Sequence, residues 1–158
     1  MSKKLIRHQH SLVVDADVQT TWALACAVPR YPEWVGVTLE MLECDNRAAT
    51  GATYAERTRV VGPITTVGHW TVVRSDDAAL FQRHECRDEL GPVKEMWLEM
   101  QVVADGSQSR FDLAIGCRAT AGPLTRPLAR ALSRKLRTGN DENVRRFAAL
   151  AESAVRIG

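Results

Sequence analysis

The stretch MWLEMQVVADGSQSRFDLAIGCRA, residues 96–119, contains two runs of alternating apolar and polar side chains joined by a turn. The apolar residues of these runs are Met96, Leu98, Met100 and Val102, and then Phe111, Leu113, Ile115, Cys117 and Ala119. Alternation with a period of two is typical of a strand with one buried face. The turn at Asp105-Gly106 sets the two apolar rows opposite each other. We therefore predict a hairpin whose apolar face meets the core.

Four further turn signals precede this hairpin and divide the chain into short runs rich in Val, Thr, Tyr, Phe and Trp. They are Asp45-Asn46, Gly62-Pro63, Asp76-Asp77 and Gly91-Pro92. With the hairpin included, this pattern predicts six strands, at about 37–44, 51–61, 64–75, 79–89, 93–104 and 109–120. The short loops between successive runs indicate an antiparallel meander.

Helical signals flank the meander on both sides. A first strand, Leu5–Val14, is followed by a short helix over about Val18–Ala27 and by a second helical segment in PRYPEWVG, residues 29–36. After the meander, one long helix runs from Thr125 to about Ile157. Its apolar residues recur at spacings of three and four, with one polar interruption between residues 136 and 144: Leu124, Leu128, Leu132, Leu136, Val144, Phe147 and Leu150.

A long amphipathic helix must bury its apolar stripe, and the concave face of the sheet is the only large partner. We therefore predict an α+β helix-grip fold, with a curved seven-stranded antiparallel sheet around a long C-terminal helix. Two short helices follow strand 1, and residues 1–158 form one domain.

Composition narrows the function classes. A chain that is 45% hydrophobic and 25% charged is typical of a globular protein, and a net charge of +2 gives no argument for nucleic acid. No apolar run approaches the ~20 residues of a membrane helix, so we expect no membrane insertion. Four cysteines without a CxxC pair predict reduced thiols and a cytoplasmic protein. There is no metal-ligand cluster and no dinucleotide loop, so we expect no metal and no cofactor.

The register of the middle strands decides which side chains line the interior. The turn at Gly91-Pro92 would place Phe81, Arg83, Glu85 and Arg87 beside the apolar row of residues 96–102. The turn at Asp76-Asp77 would then place Trp70, Val72 and Arg74 in the same inward-facing set. The opposite phase remains open, and it would turn inward Val67, His69, Thr71, His84 and Cys86.

Inward-facing arginines would be informative, because a charge facing a dry core costs several kcal/mol. Arg74 and Arg87 would then imply a hydrated cavity or a ligand with oxygen atoms to bind. The alternative is that both arginines lie at strand ends and reach solvent, as most arginines do.

The chain contains the motifs SLVVDADVQTTW at residues 11–22, YPEW at 31–34, WTVVR at 70–74 and NVRRF at 143–147. Together they resemble motifs of the aromatase/cyclase and cyclase/dehydrase proteins of aromatic polyketide biosynthesis, within the START/Bet v 1-like (SRPBCC) superfamily. SLVVDADVQTTW, residues 11–22, and YPEW, residues 31–34, are similar to that family's first strand and its short helices. WTVVR, residues 70–74, followed by Arg87, resembles the family's pair of cavity arginines. Asn143, in NVRRF, falls at its cavity asparagine.

The resemblance implies a cofactor-free cyclase or cyclase/dehydrase acting on a polyketide or related intermediate in an internal cavity. Arg74, Arg87 and Asn143 would be catalytic, with the guanidinium groups stabilising an enolate or alkoxide. The expected substrate-binding residues are Tyr31, Trp34, Thr38, Trp70, Val72, Phe81, Arg83, Glu85, Met96, Leu98, Met100 and Gly139. Three of these depart from the family, since Val72 replaces a serine, Thr38 a tyrosine and Tyr31 a tryptophan.

Two alternatives concern single features. Glu85 is either a base or an ion-pair partner of its neighbouring arginines. The basic helix face is either solvated or a docking site for an acyl carrier protein; its members are Arg126, Arg130, Arg134 and Arg137.

The alternative to an enzyme is a carrier or sensor of a small hydrophobic molecule. A lipid- or partner-binding helix-grip protein is a third class, and no feature of the sequence supports it.

Overall fold

The computed structural model describes residues 2–89, 93–122 and 126–157. Its strands form one antiparallel sheet in the order β1-β7-β6-β5-β4-β3-β2. Their bounds are β1 Ser2–Val14, β2 Thr38–Cys44, β3 Thr53–Val61, β4 Ile64–Asp76, β5 Phe81–Cys86, β6 Val93–Asp105 and β7 Gln108–Ala121. From β2 to β7, each strand pairs with the next strand along the chain, and β7 also pairs with β1. The predicted antiparallel meander is therefore confirmed.

The helices are α1 Val18–Cys26, α2 Tyr31–Trp34 and α3 Arg126–Ile157, with a 3-10 turn over Val28–Arg30 before α2. The side chain of Asp17 caps α1 by accepting from the backbone N–H of Thr20 at 2.8 Å. Leu124, the first apolar residue predicted for the long helix, lies outside the described residues. The predicted helix-grip fold is thus confirmed in its element order, its sheet and its C-terminal helix.

The core lies where α3 crosses the concave face of the sheet. Phe147 of α3 stacks on Phe111 of β7 with ring centroids 3.7 Å apart, and Trp34 of α2 meets both rings edge-on. All three residues are at most 1% exposed. Within the described parts of the chain, none of the helices combines the length and apolar character needed to span a bilayer.

The hairpin of β6 and β7 has the predicted register. Met96 pairs with Cys117 and Met100 with Leu113, so the two apolar rows lie opposite each other. The ladder closes at Asp105 and Gln108, and Gly106 in the turn has a φ of +63°, which favours glycine.

The predicted face of β5 is wrong. The buried row is Gln82, His84 and Cys86, which pair with Met100, Leu98 and Met96. The prediction placed a tight turn at Gly91-Pro92, two residues that lie outside the described ones, whereas the β5–β6 ladder ends at Cys86 and Met96. The connection is therefore longer than a two-residue turn. A one-residue difference in register moves every side chain of a strand to the other face.

A β-bulge in β4 explains why its two halves behave differently. Val72 pairs with His84 but Arg74 pairs with Arg83, so the extra residue is Val73. Before the bulge, Trp70 and Val72 are buried as predicted. After it the alternation reverses, and Arg74 emerges on the outer face.

Candidate ligand cavity

A cavity of about 100 Å³ lies between the concave face of the sheet and the helices α2 and α3. Its walls are mostly apolar and aromatic. The lining residues are Tyr31, Trp34, Val35, Val37, Tyr54, Glu56, Thr58, Thr66, Gly68, Trp70, Cys86, Met96, Leu98, Met100, Leu113, Ile115, Asn140 and Asn143. A concave, mainly apolar site with a few polar groups is the usual form of a small-molecule site, and this one is small for its kind.

Seven of the predicted site residues line this cavity. They are Tyr31, Trp34, Trp70, Met96, Leu98, Met100 and Asn143. Asn143 is already engaged, because its Oδ1 accepts from the backbone N–H of Gly36 at 2.9 Å. This bond ties α3 to the segment after α2 and so holds one wall of the cavity in place.

The two predicted catalytic arginines are not in the cavity. The side chain of Arg74 is 61% exposed and lies over the ring of Phe81 at 5.0 Å, on the outer face of the sheet. Arg87 is exposed and borders an open outer groove of about 780 Å³. The bulge at Val73 and the longer connection after β5 are the reasons. The cavity placement predicted for both residues is therefore wrong.

Three further predicted cavity residues also lie on the outer face. Phe81 lies under Arg74, and Arg83 and Glu85 border the outer groove. Arg83 donates to Glu85 at 2.9 Å and to Glu99 at 2.6 Å, and its guanidinium lies 5.4 Å from the ring centroid of Trp97. Glu85 is thus an ion-pair partner, the alternative that the sequence left open.

The remaining predicted residues lie near the cavity without lining it. Thr38 and Val72 are buried in the core, and Gly139 on α3 has open space where a side chain would project. Thr38 acts indirectly, because its hydroxyl donates to a carboxylate oxygen of Glu56 at 2.6 Å.

Glu56 of β3 is a cavity residue that the sequence interpretation missed. It is 8% exposed, and its second carboxylate oxygen accepts from Trp70 Nε1 at 2.8 Å. Burial raises the pKa of Glu56, and its hydrogen bonds to Thr38 and Trp70 oppose that rise. The alternation of Tyr54, Glu56 and Thr58 was the available signal, since it places a carboxyl group on the same face as an aromatic ring.

A chain of buried hydrogen bonds lies behind the cavity wall. The Tyr54 hydroxyl lies 2.9 Å from His84 Nδ1, and His84 Nε2 lies 2.9 Å from Gln82 Oε1. Gln82 Nε2 in turn donates to the sulfur of Cys26. Because the Gln82 oxygen can only accept, Nε2 of His84 carries the proton and Nδ1 accepts from Tyr54. Burial lowers the pKa of His84 to about 3, so this imidazole stays neutral.

Comparison with known proteins fixes the family. The sequence profile of the family described as polyketide cyclase / dehydrase and lipid transport matches residues 6–152. The chain belongs to this family. No curated protein matched the sequence.

Solved structures with this fold include enzymes of natural-product biosynthesis. The Zhui aromatase/cyclase from a Streptomyces species has a TM-score of 0.74 at 16% identity, over 96% of each chain. The di-domain ARO/CYC StfQ of the steffimycin pathway has a TM-score of 0.73 at 14% identity, over 96% of this chain and 52% of that one. A truncated norcoclaurine synthase from Thalictrum flavum has a TM-score of 0.68 at 16% identity, over 95% of each chain. At these identities the likeness shows the fold.

Proposed function

We propose that this member of the polyketide cyclase/dehydrase family binds a compact, largely apolar molecule in its cavity. There, Glu56 transfers a proton in a cofactor-free cyclisation or dehydration. The observation that carries the proposal is the position of Glu56, the one carboxyl group among the described residues that line the cavity. The aromatase/cyclase neighbours support the reaction class.

Burial prepares Glu56 for this chemistry. A raised pKa lies closer to neutral pH, where a carboxyl group is effective both as an acid and as a base. The donors on Thr38 and Trp70 fix the plane of the carboxyl group. A carboxyl group held in this way needs little rearrangement before it meets a bound substrate.

The proposed dehydration acts on a β-hydroxy ketone. Protonated Glu56 donates its proton to the substrate hydroxyl, the C–O bond breaks and water leaves. The resulting carboxylate accepts the proton from the neighbouring carbon as the C=C bond forms. Glu56 ends protonated, so the step balances without a cofactor.

The second candidate is a carrier or sensor without turnover. It is favoured by the outward position of Arg74 and Arg87, because the described cavity lining then contains no fixed cation for an enolate. Both candidates require a ligand in the cavity, and they differ only in whether that ligand is changed.

A β-hydroxy ketone with one phenyl ring separates the two candidates. The aldol adduct of benzaldehyde and acetone is suitable, because its loss of water gives the absorbing product benzylideneacetone. We expect wild type to accelerate this reaction. Glu56→Gln should lower the rate by about 10²–10⁴-fold, since the amide keeps the shape but cannot exchange the proton.

Glu85→Gln is the matched control, since Glu85 is an ion-paired glutamate on the outer face. It should leave the rate within about twofold, and thermal unfolding checks that each variant is folded. If wild type binds the ketone, measured by calorimetry, but forms no product, the carrier function is correct and the catalytic role of Glu56 is excluded.

For substrate delivery we propose an acyl carrier protein as the partner. The support is the row of four exposed arginines on α3: Arg126, Arg130, Arg134 and Arg137. Acidic carrier proteins would complement this charge. The double change Arg130→Glu and Arg134→Glu should slow turnover of a carrier-bound substrate but not of the free ketone. Equal rates for wild type and this variant on the carrier-bound substrate would exclude the docking site.

A further inference from the structure

Two buried polar atoms at the cavity have no hydrogen-bond partner among the described residues. They are the indole Nε1 of Trp34 and the side-chain Oδ1 of Asn140. Trp34 is 1% exposed and Asn140 is 2% exposed, and both residues line the cavity. Buried polar groups in folded proteins nearly always have a partner, so two unpaired atoms at one small cavity require an explanation.

Packing holds both side chains in place. The indole of Trp34 meets Phe147 edge-on with ring centroids 5.2 Å apart. The amide of Asn140 is fixed at its other end, because Nδ2 donates to the backbone carbonyl of Leu113 at 2.9 Å. Asn140 therefore cannot rotate its amide to pair Oδ1 without losing an existing bond. The unpaired donor and the unpaired acceptor thus belong to two fixed side chains that line the cavity.

Two of the other polar residues that line the cavity already have partners. Glu56 accepts from Thr38 and Trp70, and the hydroxyl proton of Tyr54 is directed at His84. Trp34 Nε1 and Asn140 Oδ1 are the buried side-chain donor and acceptor that remain unpaired among the described residues, whereas Glu56 serves the proposed proton transfer. A hydroxyl group both accepts and donates, so it is the smallest group that matches the pair.

We infer that the ligand is a hydroxyaromatic or enolic compound whose hydroxyl group is bound by Trp34 Nε1–H and Asn140 Oδ1. This inference rests on the proposed binding function and names the ligand class. The ring of the ligand packs against the aromatic walls, which Tyr31, Trp34, Tyr54 and Trp70 supply. The small volume of the cavity favours a ligand with one ring as the first probe.

Phenol and toluene are the matched probes, because they have nearly the same shape and differ in the hydroxyl group. We expect calorimetric titration of the wild-type protein to give a dissociation constant for phenol about tenfold below that for toluene. Trp34→Phe and Asn140→Leu should each lower this preference about threefold, since each removes one of the two hydrogen bonds that together give it. Met100→Leu, in the apolar wall, should change both affinities together and leave the preference as it is.

The preference is a ratio measured within one protein, so a partial loss of stability does not imitate the expected result. If one variant fails to fold, the other still answers the question. Equal binding of phenol and toluene by wild type would overturn the inference while the binding function stands. An unchanged preference in both variants would also overturn it. If folded wild type binds neither probe, the inference and the proposed binding function both fail.

Discussion

The two faces of β5 show how differently this sheet treats polar groups. On the inner face Gln82 and His84 are fully buried and neutral, and they are joined by a hydrogen bond. On the outer face Arg83 and Glu85 are partly exposed and form an ion pair. Alternate residues of a strand only six residues long therefore lie in opposite electrostatic environments.

The difference follows from how each side chain can respond to burial. Burial shifts the pKa of a histidine down and that of a glutamate up, in each case towards the uncharged form, as His84 and Glu56 illustrate. Arginine keeps its charge, so Arg83 needs a partner or water. His84 and Glu56 can therefore lie on the inner face, whereas Arg83 lies on the outer face beside its carboxylate partners.

The largest expected contrast between the faces is in packing. Phe147 is fully buried and stacked on Phe111, so Phe147→Ala should lower the free energy of unfolding by about 3–5 kcal/mol. Phe81 on the outer face is only half-buried, and Phe81→Ala should cost about 1 kcal/mol. Urea unfolding measures both values. Equal losses would mean that the inner face is not the principal core.

The pH dependence of stability should distinguish the buried His84 from the exposed His69. The folded pKa of His84 is about 3, below the ordinary value of 6.5, so only the unfolded chain takes up this proton as the pH falls below about 6.5. Its contribution to stability is therefore present above pH 6.5 and is lost towards pH 3, at about 1.4 kcal/mol per pH unit.

Urea unfolding at several pH values between about pH 7 and pH 4 tests this contribution. His84→Gln should flatten the pH dependence of the unfolding free energy. His69→Gln should change it less, because the His69 side chain is 68% exposed and its ion pair with Asp88 lies at the surface. The same steep dependence in wild type and His84→Gln would show that His84 is not the responsible group.

The smallest effects are expected on the outer face. Arg74 and Arg87 are exposed, so Arg74→Ala and Arg87→Ala should each change the unfolding free energy by less than about 1 kcal/mol. Neither change should alter phenol affinity or the dehydration rate by more than about twofold. A loss of dehydration rate of about a hundredfold in either variant would show that the arginine takes part in the reaction.

The sequence was sufficient for the fold because the fold depends on element order and on strong local signals. The alternation in residues 96–119 and the spacing of apolar residues in α3 predicted the hairpin and the helix that bury each other. These signals need no knowledge of distant contacts. Turn residues likewise located the strand ends to within a few positions.

The candidate site was less predictable because it depends on register, and register depends on single residues. The bulge at Val73 and the connection after Cys86 each reverse an alternation, and no local signal in the sequence identified them. Seven of the predicted site residues do line the cavity, because Trp70 precedes the bulge and the others lie on elements that were placed correctly. Glu56 was missed because the face of its strand was not assigned.

The four tryptophans allow the most direct test of whether the inner cavity is the ligand site. Trp34 and Trp70 line the cavity, Trp22 Nε1 is bonded to Asp77, and Trp97 borders the outer groove. Each has an indole N–H signal in a ¹H–¹⁵N spectrum, and phenol can be titrated against all four at once. We predict that the Trp34 signal shifts most, that Trp70 shifts less, and that Trp22 and Trp97 stay in place. Saturable movement of Trp97 with a stationary Trp34 would contradict the account.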